Sequence, residues 1–207
     1  MTDTGGDVYN SSGALTPCPS FDLLATSEKQ NADNTTTVSL TLGAPPAAAS
    51  ALTCSGFGAT GGIWGVEFWS ASEPDPTTGG GPNDNFYVAY RDNVVGGPSG
   101  EAGRLNSIDV TLTADEFHKV EPATASTCVP VATPIVGFPQ ACTISITASL
   151  TGLGIKAGAG MYSITGLTTY VFGTEVGRPP GLRVAEGDSQ QADAATPFDD
   201  NGTGAIK

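Results

Sequence analysis

Cys142-Thr143-Ile144-Ser145-Ile146-Thr147-Ala148-Ser149-Leu150 sets Cys142, Ile144, Ile146, Ala148 and Leu150 at one parity and Thr143, Ser145, Thr147 and Ser149 at the other. Successive side chains of a strand point to opposite faces, so this stretch is a strand with one dry and one wet side. Thr35–Leu42 (TTTVSLTL) repeats the pattern, with Val38, Leu40 and Leu42 opposite Thr37, Ser39 and Thr41. One-sided burial belongs to antiparallel sheets, whereas parallel strands are apolar on both faces. Further strands are expected at Phe21–Thr26, Ile63–Ser70 (IWGVEFWS), Phe86–Arg91 (FYVAYR), Asp109–Thr113, Met161–Thr165 and Thr168–Phe172, where aromatic and β-branched residues gather.

Between these runs lie segments rich in helix and strand breakers: Gly43–Ser50, Ser72–Asn85, Gly96–Gly103 and Arg178–Gly181. Ala114–Val120 reads as a helical turn, with Asp115 and Glu116 near its start and Lys119 near its end. The expected fold class is therefore all-β: an antiparallel two-sheet β-sandwich, jelly-roll or immunoglobulin-like, with long Gly/Pro-rich loops. No solenoid period is visible, so residues 1–207 read as one domain, with 1–16 and 199–207 as extended termini.

Four cysteines, with no Cys-x-x-Cys spacing and with the single His118 far from each of them in sequence, point to disulfides rather than to zinc or redox chemistry. Disulfides persist in oxidising compartments, so the expected location is secreted or cell-surface. The polar start Met1–Asp7 lacks the basic and apolar stretches of a signal peptide, and the chain reads as a mature protein or a module of a longer one. Four cysteines allow three connectivities. The layout favours Cys18 with Cys54 and Cys128 with Cys142, the second pair closing an excursion that holds Pro130, Pro134 and Pro139.

The net charge of −13, from 21 acidic and 8 basic residues, repels nucleic acid and anionic membranes, and no run of apolar residues is long enough for a spanning helix. Catalysis finds little footing. His118 sits among Asp115, Glu116 and Lys119 as part of a charged turn, and Gly187-Asp188-Ser189 is out of place for a hydrolase motif. Glu67, between Trp64 and Trp69, has no second acid at an inferable separation. The expectation is a non-enzyme without an organic cofactor.

Two other constellations remain. If the two aromatic strands pair, Trp69 and Tyr87 become cross-strand neighbours beside Glu67 and Arg91, which makes a candidate sugar-stacking platform where that sheet face is open and a covered face where the Pro-rich loops lie over it. Calcium is the candidate cofactor, held by Glu73, Asp75 and Asp84 with Asn83 and Asn85, or by Asp188, Asp193 and Asp199 with Glu186 and Asp200, since hard cations take oxygen ligands from loops. The regular Thr and Ser rows are ordinary for a wet strand face and carry no separate function.

The order PSFDLLATSEKQNADNTTTVSLTL, an aromatic hairpin, CTISITASLTGLGIKAGAGMYSITGLTTYVF and then GDSQQADAATPFDDNGTG resembles the jelly-roll accessory modules of secreted bacterial and archaeal proteins, similar to DOMON-type and carbohydrate-binding sandwiches. The resemblance spans Phe21 to Gly204 as a pattern and implies an adhesive or ligand-binding role without transferable catalytic residues. Haem ligands of the DOMON type would have to come from Met1, Met161 and His118, which do not form a convincing set. The sequence thus supports a secreted module that contacts glycan or another extracellular polymer. Its alternative is a structural subunit of a pilus, filament or surface layer, joined to protein partners or further copies of itself through termini and strand edges.

Overall fold

The computed structural model describes residues 5–10, 12–56, 59–70, 85–93, 98–105, 120–155, 161–172 and 188–194. Among them ten strands form one antiparallel ladder: β1 (Leu23–Gln30), β2 (Thr35–Leu42), β3 (Gly61–Ser70), β4 (Asn85–Asn93), β5 (Ser99–Leu105), β6 (Val120–Ala125), β7 (Val129–Pro130), β8 (Cys142–Ser149), β9 (Met161–Phe172) and β10 (Asp188–Ala194). The spatial order is β1-β2-β8-β6-β5-β4-β3-β9-β10, with β7 on the flank of β8. A seven-residue helix, α1 (Ala48–Cys54), follows β2.

The all-β antiparallel expectation stands, but the ladder is continuous where two sheets were expected. Strand β6 makes the join: Gly100 to Gly103 of β5 pair with Val120 to Ala123, and the next two residues, Thr124 and Ala125, turn to Thr147 and Ile146 of β8. Beyond β6 the ladder curls until the start of β1 meets β9. There Phe21 packs its ring 4.5 Å from that of Tyr170, and the Thr168 hydroxyl donates to the Phe21 carbonyl at 2.7 Å.

One core fills the interior. Val38, Leu40 and Leu42 of β2 and Ile144 and Ile146 of β8 face Trp64, Val66 and Phe68 of β3 and Phe86 and Val88 of β4, all buried in a single cluster. Burying each such side chain contributes roughly 1.5–3 kcal/mol. Trp64 sits at the centre, its ring 4.8 Å from Phe21 and its indole N–H donating to the Ser20 carbonyl at 2.6 Å, so that its one polar atom is satisfied.

Several elements differ from the sequence expectation. Gly43–Ser50 was expected as loop, yet the Ala-rich stretch after Pro45 and Pro46 forms α1, in keeping with alanine's helix propensity. Gly96–Gly103 contains most of β5, and the two runs expected at Met161–Thr165 and Thr168–Phe172 are one strand. The predicted Asp109–Thr113 strand lies outside the described residues, as does the Ala114–Val120 turn except for Val120, which opens β6. The described part of the first sixteen residues is no extended arm. Gly6 donates its N–H to the Asp22 carboxylate at 2.6 Å, Val8 is fully buried in the core, and Tyr9 bridges Leu15.

Candidate functional site

The disulfides join Cys18 to Cys54 and Cys128 to Cys142, the pairing that the sequence layout favoured. Register places both at the same end of the ladder. Leu23 at the start of β1 pairs with Leu42 at the end of β2, and Leu42 pairs with Cys142 at the start of β8. Cys18 leads into β1, α1 follows β2 and ends at Cys54, and β7 with the excursion 131–141 leads into β8. This stapled end also carries every exposed large hydrophobic among the described residues: Tyr9, Leu15, Leu52, Val129 and Val136.

The excursion is a fixed loop. Val131 N–H donates to the Ala141 carbonyl, Phe138 N–H to Ile135, and Ala141 N–H to Phe138. Gly137 has φ +88°, so Ile135 to Phe138 has the form of a type II turn with Val136 and Gly137 at its centre. Phe138 lies over two glycines of the body: a Cβ on Gly43 would sit 2.5 Å from the ring, and one on Gly5 would sit 2.8 Å from it. Val136, at the tip, is 97% exposed. A type II turn favours proline at that position and does not require an apolar side chain, so valine there is unexplained by the fold.

The aromatic hairpin behaves differently from expectation. β3 and β4 pair as predicted, but Tyr87 lies opposite Glu67, Arg91 opposite Ile63, and Trp69 opposite Asn85. The face carrying Ile63, Tyr87, Ala89 and Arg91 is buried: Tyr87 is 3% exposed and Arg91 4%. An open stacking platform at Tyr87 and Arg91 is therefore corrected to a covered face. Its partner was missed in the sequence. Glu101 of β5, 2% exposed, lies 3.7 Å from the Arg91 guanidinium and accepts from the Tyr87 hydroxyl at 3.3 Å.

Burial pushes the Glu101 carboxyl above its ordinary range, outweighing the pull of Arg91 and the Tyr87 hydroxyl. Glu67, partly buried, is raised by desolvation. Arg91 thus serves Glu101 rather than Glu67. The Tyr87 ring fills the space beside Gly103, where any Cβ would collide with it. The segment Ser99–Leu105, with two glycines and no β-branched residue, offered only a weak period-2 alternation as a clue to this pair.

Of the candidate calcium residues, Glu73, Asp75, Asp84 and Asp199 lie outside the described residues. Asp188 and Asp193 fall within β10, in register with Phe172 and Thr168, and so belong to a strand where a loop was expected. Among the described residues no group of three or more His, Cys, Asp and Glu could hold a metal ion, and no helix is long and apolar enough to cross a membrane. The chain matches no protein-family model, no curated protein and no solved structure.

Proposed function

We propose that this chain is a secreted, non-catalytic binding or adhesion module that contacts an extracellular polymer, glycan or protein, through its stapled end. The observation that carries the reading is the convergence there of both disulfides with Tyr9, Leu15, Leu52, Val129 and Val136. Recognition residues on loops held by a rigid scaffold are the common way for an all-β domain to bind. Two disulfides support an oxidising environment. The two halves of the ladder, sharing one core, support a sandwich of jelly-roll kind. Calcium at the acid-rich segments Glu73–Asn85 and Glu186–Asp200 belongs to this proposal as a brace.

The structural-subunit alternative asks for a terminal arm that leaves its own domain. Residues 5–10 and 12–16 fold against the body, Gly6 through the Asp22 carboxylate and Val8 by burial in the core, which favours the binding module.

Retention on immobilised cellulose, chitin, peptidoglycan and coated extracellular matrix proteins tests the reading, with Val136→Asp as the site variant and Ser39→Asp on the hydroxyl-lined face of β2 as control. Retention on at least one surface that Val136→Asp weakens by about tenfold or more, about 1.4 kcal/mol, is expected. Equal retention of both variants and the parent, or none on any surface, refutes it.

A further inference from the structure

Three positions of the chain fit the Asn-x-Ser/Thr acceptor pattern: Asn10-Ser11-Ser12, Asn34-Thr35-Thr36 and Asn201-Gly202-Thr203. The third lies outside the described residues. Folding separates the other two. Asn34 is exposed in the turn between β1 and β2, at φ +65°, but Thr36 has entered β2 on its inward-facing side and is 3% exposed. The neighbouring Thr35 hydroxyl is engaged by Asp33, to which it donates at 2.7 Å. In the folded chain the hydroxyl that the pattern requires is thus out of reach at Asn34.

At Asn10 both halves of the pattern are outside and in contact. Thr16 N–H donates to the Val8 carbonyl at 2.8 Å, Tyr9 bridges Leu15, and Asn10 N–H donates to the Ala14 carbonyl at 2.8 Å, which makes a small hairpin. Its turn is closed by Gly13, at φ +79°, whose N–H donates to the Asn10 carbonyl at 2.9 Å. The Asn10 side chain reaches across this turn. Its Oδ1 accepts from the Ser12 hydroxyl at 2.7 Å and from the N–H groups of Ser12 and Ala14, both at 3.0 Å. Among the described residues no group accepts from Nδ2, and Gly56, whose missing Cβ would lie 3.8 Å away, brings no side chain against it.

We infer that Asn10 is a site of N-linked glycosylation, its Nδ2 taking the sugar from a lipid-linked oligosaccharide diphosphate. The inference rests on the reading of the chain as secreted and adds a modification to it. An amide nitrogen is a weak nucleophile because its lone pair is delocalised onto the oxygen. Taking a proton from Nδ2 places negative charge on Oδ1, where one hydroxyl and two N–H donors are already aimed; donors preset where charge develops lower the barrier to it. Nδ2 forms the new bond to C1 of the first sugar, and the C1–O bond to the diphosphate breaks. The lipid diphosphate leaves with that electron pair, and the amide proton passes to a base of the transferase. The oligosaccharide extends into solvent from a turn whose Ser12, Gly13 and Ala14 are exposed, beside Tyr9 and Leu15. An exposed loop of a secreted protein is where this modification is carried.

The test supplies the purified, disulfide-intact chain with an oligosaccharyl transferase that reads Asn-x-Ser/Thr and with its lipid-linked donor, and maps the product by mass spectrometry after reduction. Trypsin cuts after Lys29, so Asn10 and Asn34 fall on different peptides. The added mass is expected on the Asn10 peptide and not on the Asn34 peptide. It should disappear with Asn10→Gln, form about tenfold or more slowly with Ser12→Ala, which removes one donor, and return with Ser12→Thr. A chain reduced and alkylated beforehand should take sugar at Asn34 as well, since Thr36 is then released from the sheet. An unmodified Asn10 in the folded chain, modification of Asn34 to the same extent there, or a rate unmoved by Ser12→Ala overturns the inference. Because donor and transferase are supplied, such a result counts against Asn10 alone and leaves the adhesion reading to the retention assay. A chain that is glycosylated at Asn10 but retained on no surface refutes adhesion and upholds the acceptor.

Discussion

Removing the Cys128–Cys142 disulfide, by Cys128→Ala together with Cys142→Ala, tests how the stapled end is held. The bridge spans a sequence separation of 14. Closing a loop of about 15 residues removes chain entropy from the unfolded ensemble equivalent to about 3 kcal/mol at 25 °C. Cys142 is also buried against the core, so losing its sulfur adds a small cavity cost, of order 1 kcal/mol at most. The expected loss is therefore about 3–4 kcal/mol, a large share of the roughly 5–15 kcal/mol available to a domain. Urea titration with linear extrapolation measures it. Because the unfolded chain is freed to expand, the m value should rise as well. The Cys18–Cys54 bridge, with a separation of 36, closes a longer loop and should cost about 4 kcal/mol when removed in the same way. A loss below about 1 kcal/mol with an unchanged m value would show that the excursion is held by its turn and by Phe138 alone, and that the entropic reasoning fails here.

Further outcomes follow from single contacts. Gly43→Ala should destabilise by about 1–3 kcal/mol in the same titration, because the new methyl would meet both the Phe138 ring and the Pro19 carbonyl, 2.8 Å away, and the backbone cannot step aside cheaply. Glu101→Gln, which replaces the carboxylate with a neutral amide of the same shape, should cost less than about 1 kcal/mol at pH 7 or stabilise, because burial outweighs the pull of Arg91 and Tyr87 on the charged form; a cost of about 3 kcal/mol or more would mean that the 3.7 Å pair outweighs desolvation. Glu67→Gln should act in the same direction. Its carboxyl is raised by burial from 4.5, so the folded state holds the proton more tightly and stability falls as pH rises through the window above 4.5. The variant should thus be more stable than the parent at pH 7, with the gain gone at pH 4, and a gain that persists at pH 4 contradicts the sign. Trp64→Phe, which strands the Ser20 carbonyl, should lose about 1–3 kcal/mol beyond the change in volume, visible as a lower urea midpoint.

The strands that read cleanly from sequence are those whose own residues demand a half-buried pleat. Alternation in β2 and β8 and the aromatic runs of β3 and β4 located them to within a few residues. β9 was split in expectation by Gly166, but that glycine lies opposite Val66 in a continuous ladder, where its neighbours rather than its own propensity decide. β5, β6 and β10 are built largely of Gly, Ala, Pro, Gln and acidic residues, and their pairing comes from strands already in place. The passage of β6 from one half of the ladder to the other leaves no periodic trace. At the site, alternation put Glu67, Tyr87 and Arg91 together on one face, but Glu101 stayed hidden with β5, and the covering of that face depends on tertiary structure alone. The stapled end had a readable signal in the cysteine layout, which favoured Cys18 with Cys54 and Cys128 with Cys142, whereas its exposed apolar residues carry no pattern.

Strand β2 lies between β1, which immediately precedes it, and β8, whose Thr147 hydroxyl meets that of Thr37 across 110 residues of chain. During synthesis the β1–β2 hairpin emerges with the β2 edge open and with Val38, Leu40 and Leu42 uncovered until β8 arrives. The Cys18–Cys54 pair, by contrast, is complete once residue 54 has appeared. Long-range pairing of this kind folds slowly and leaves adhesive edges exposed in the meantime. The hairpin's vulnerable period therefore ends only when β8, Cys142–Ser149, has been delivered, and the early disulfide is the one covalent restraint available to it before then.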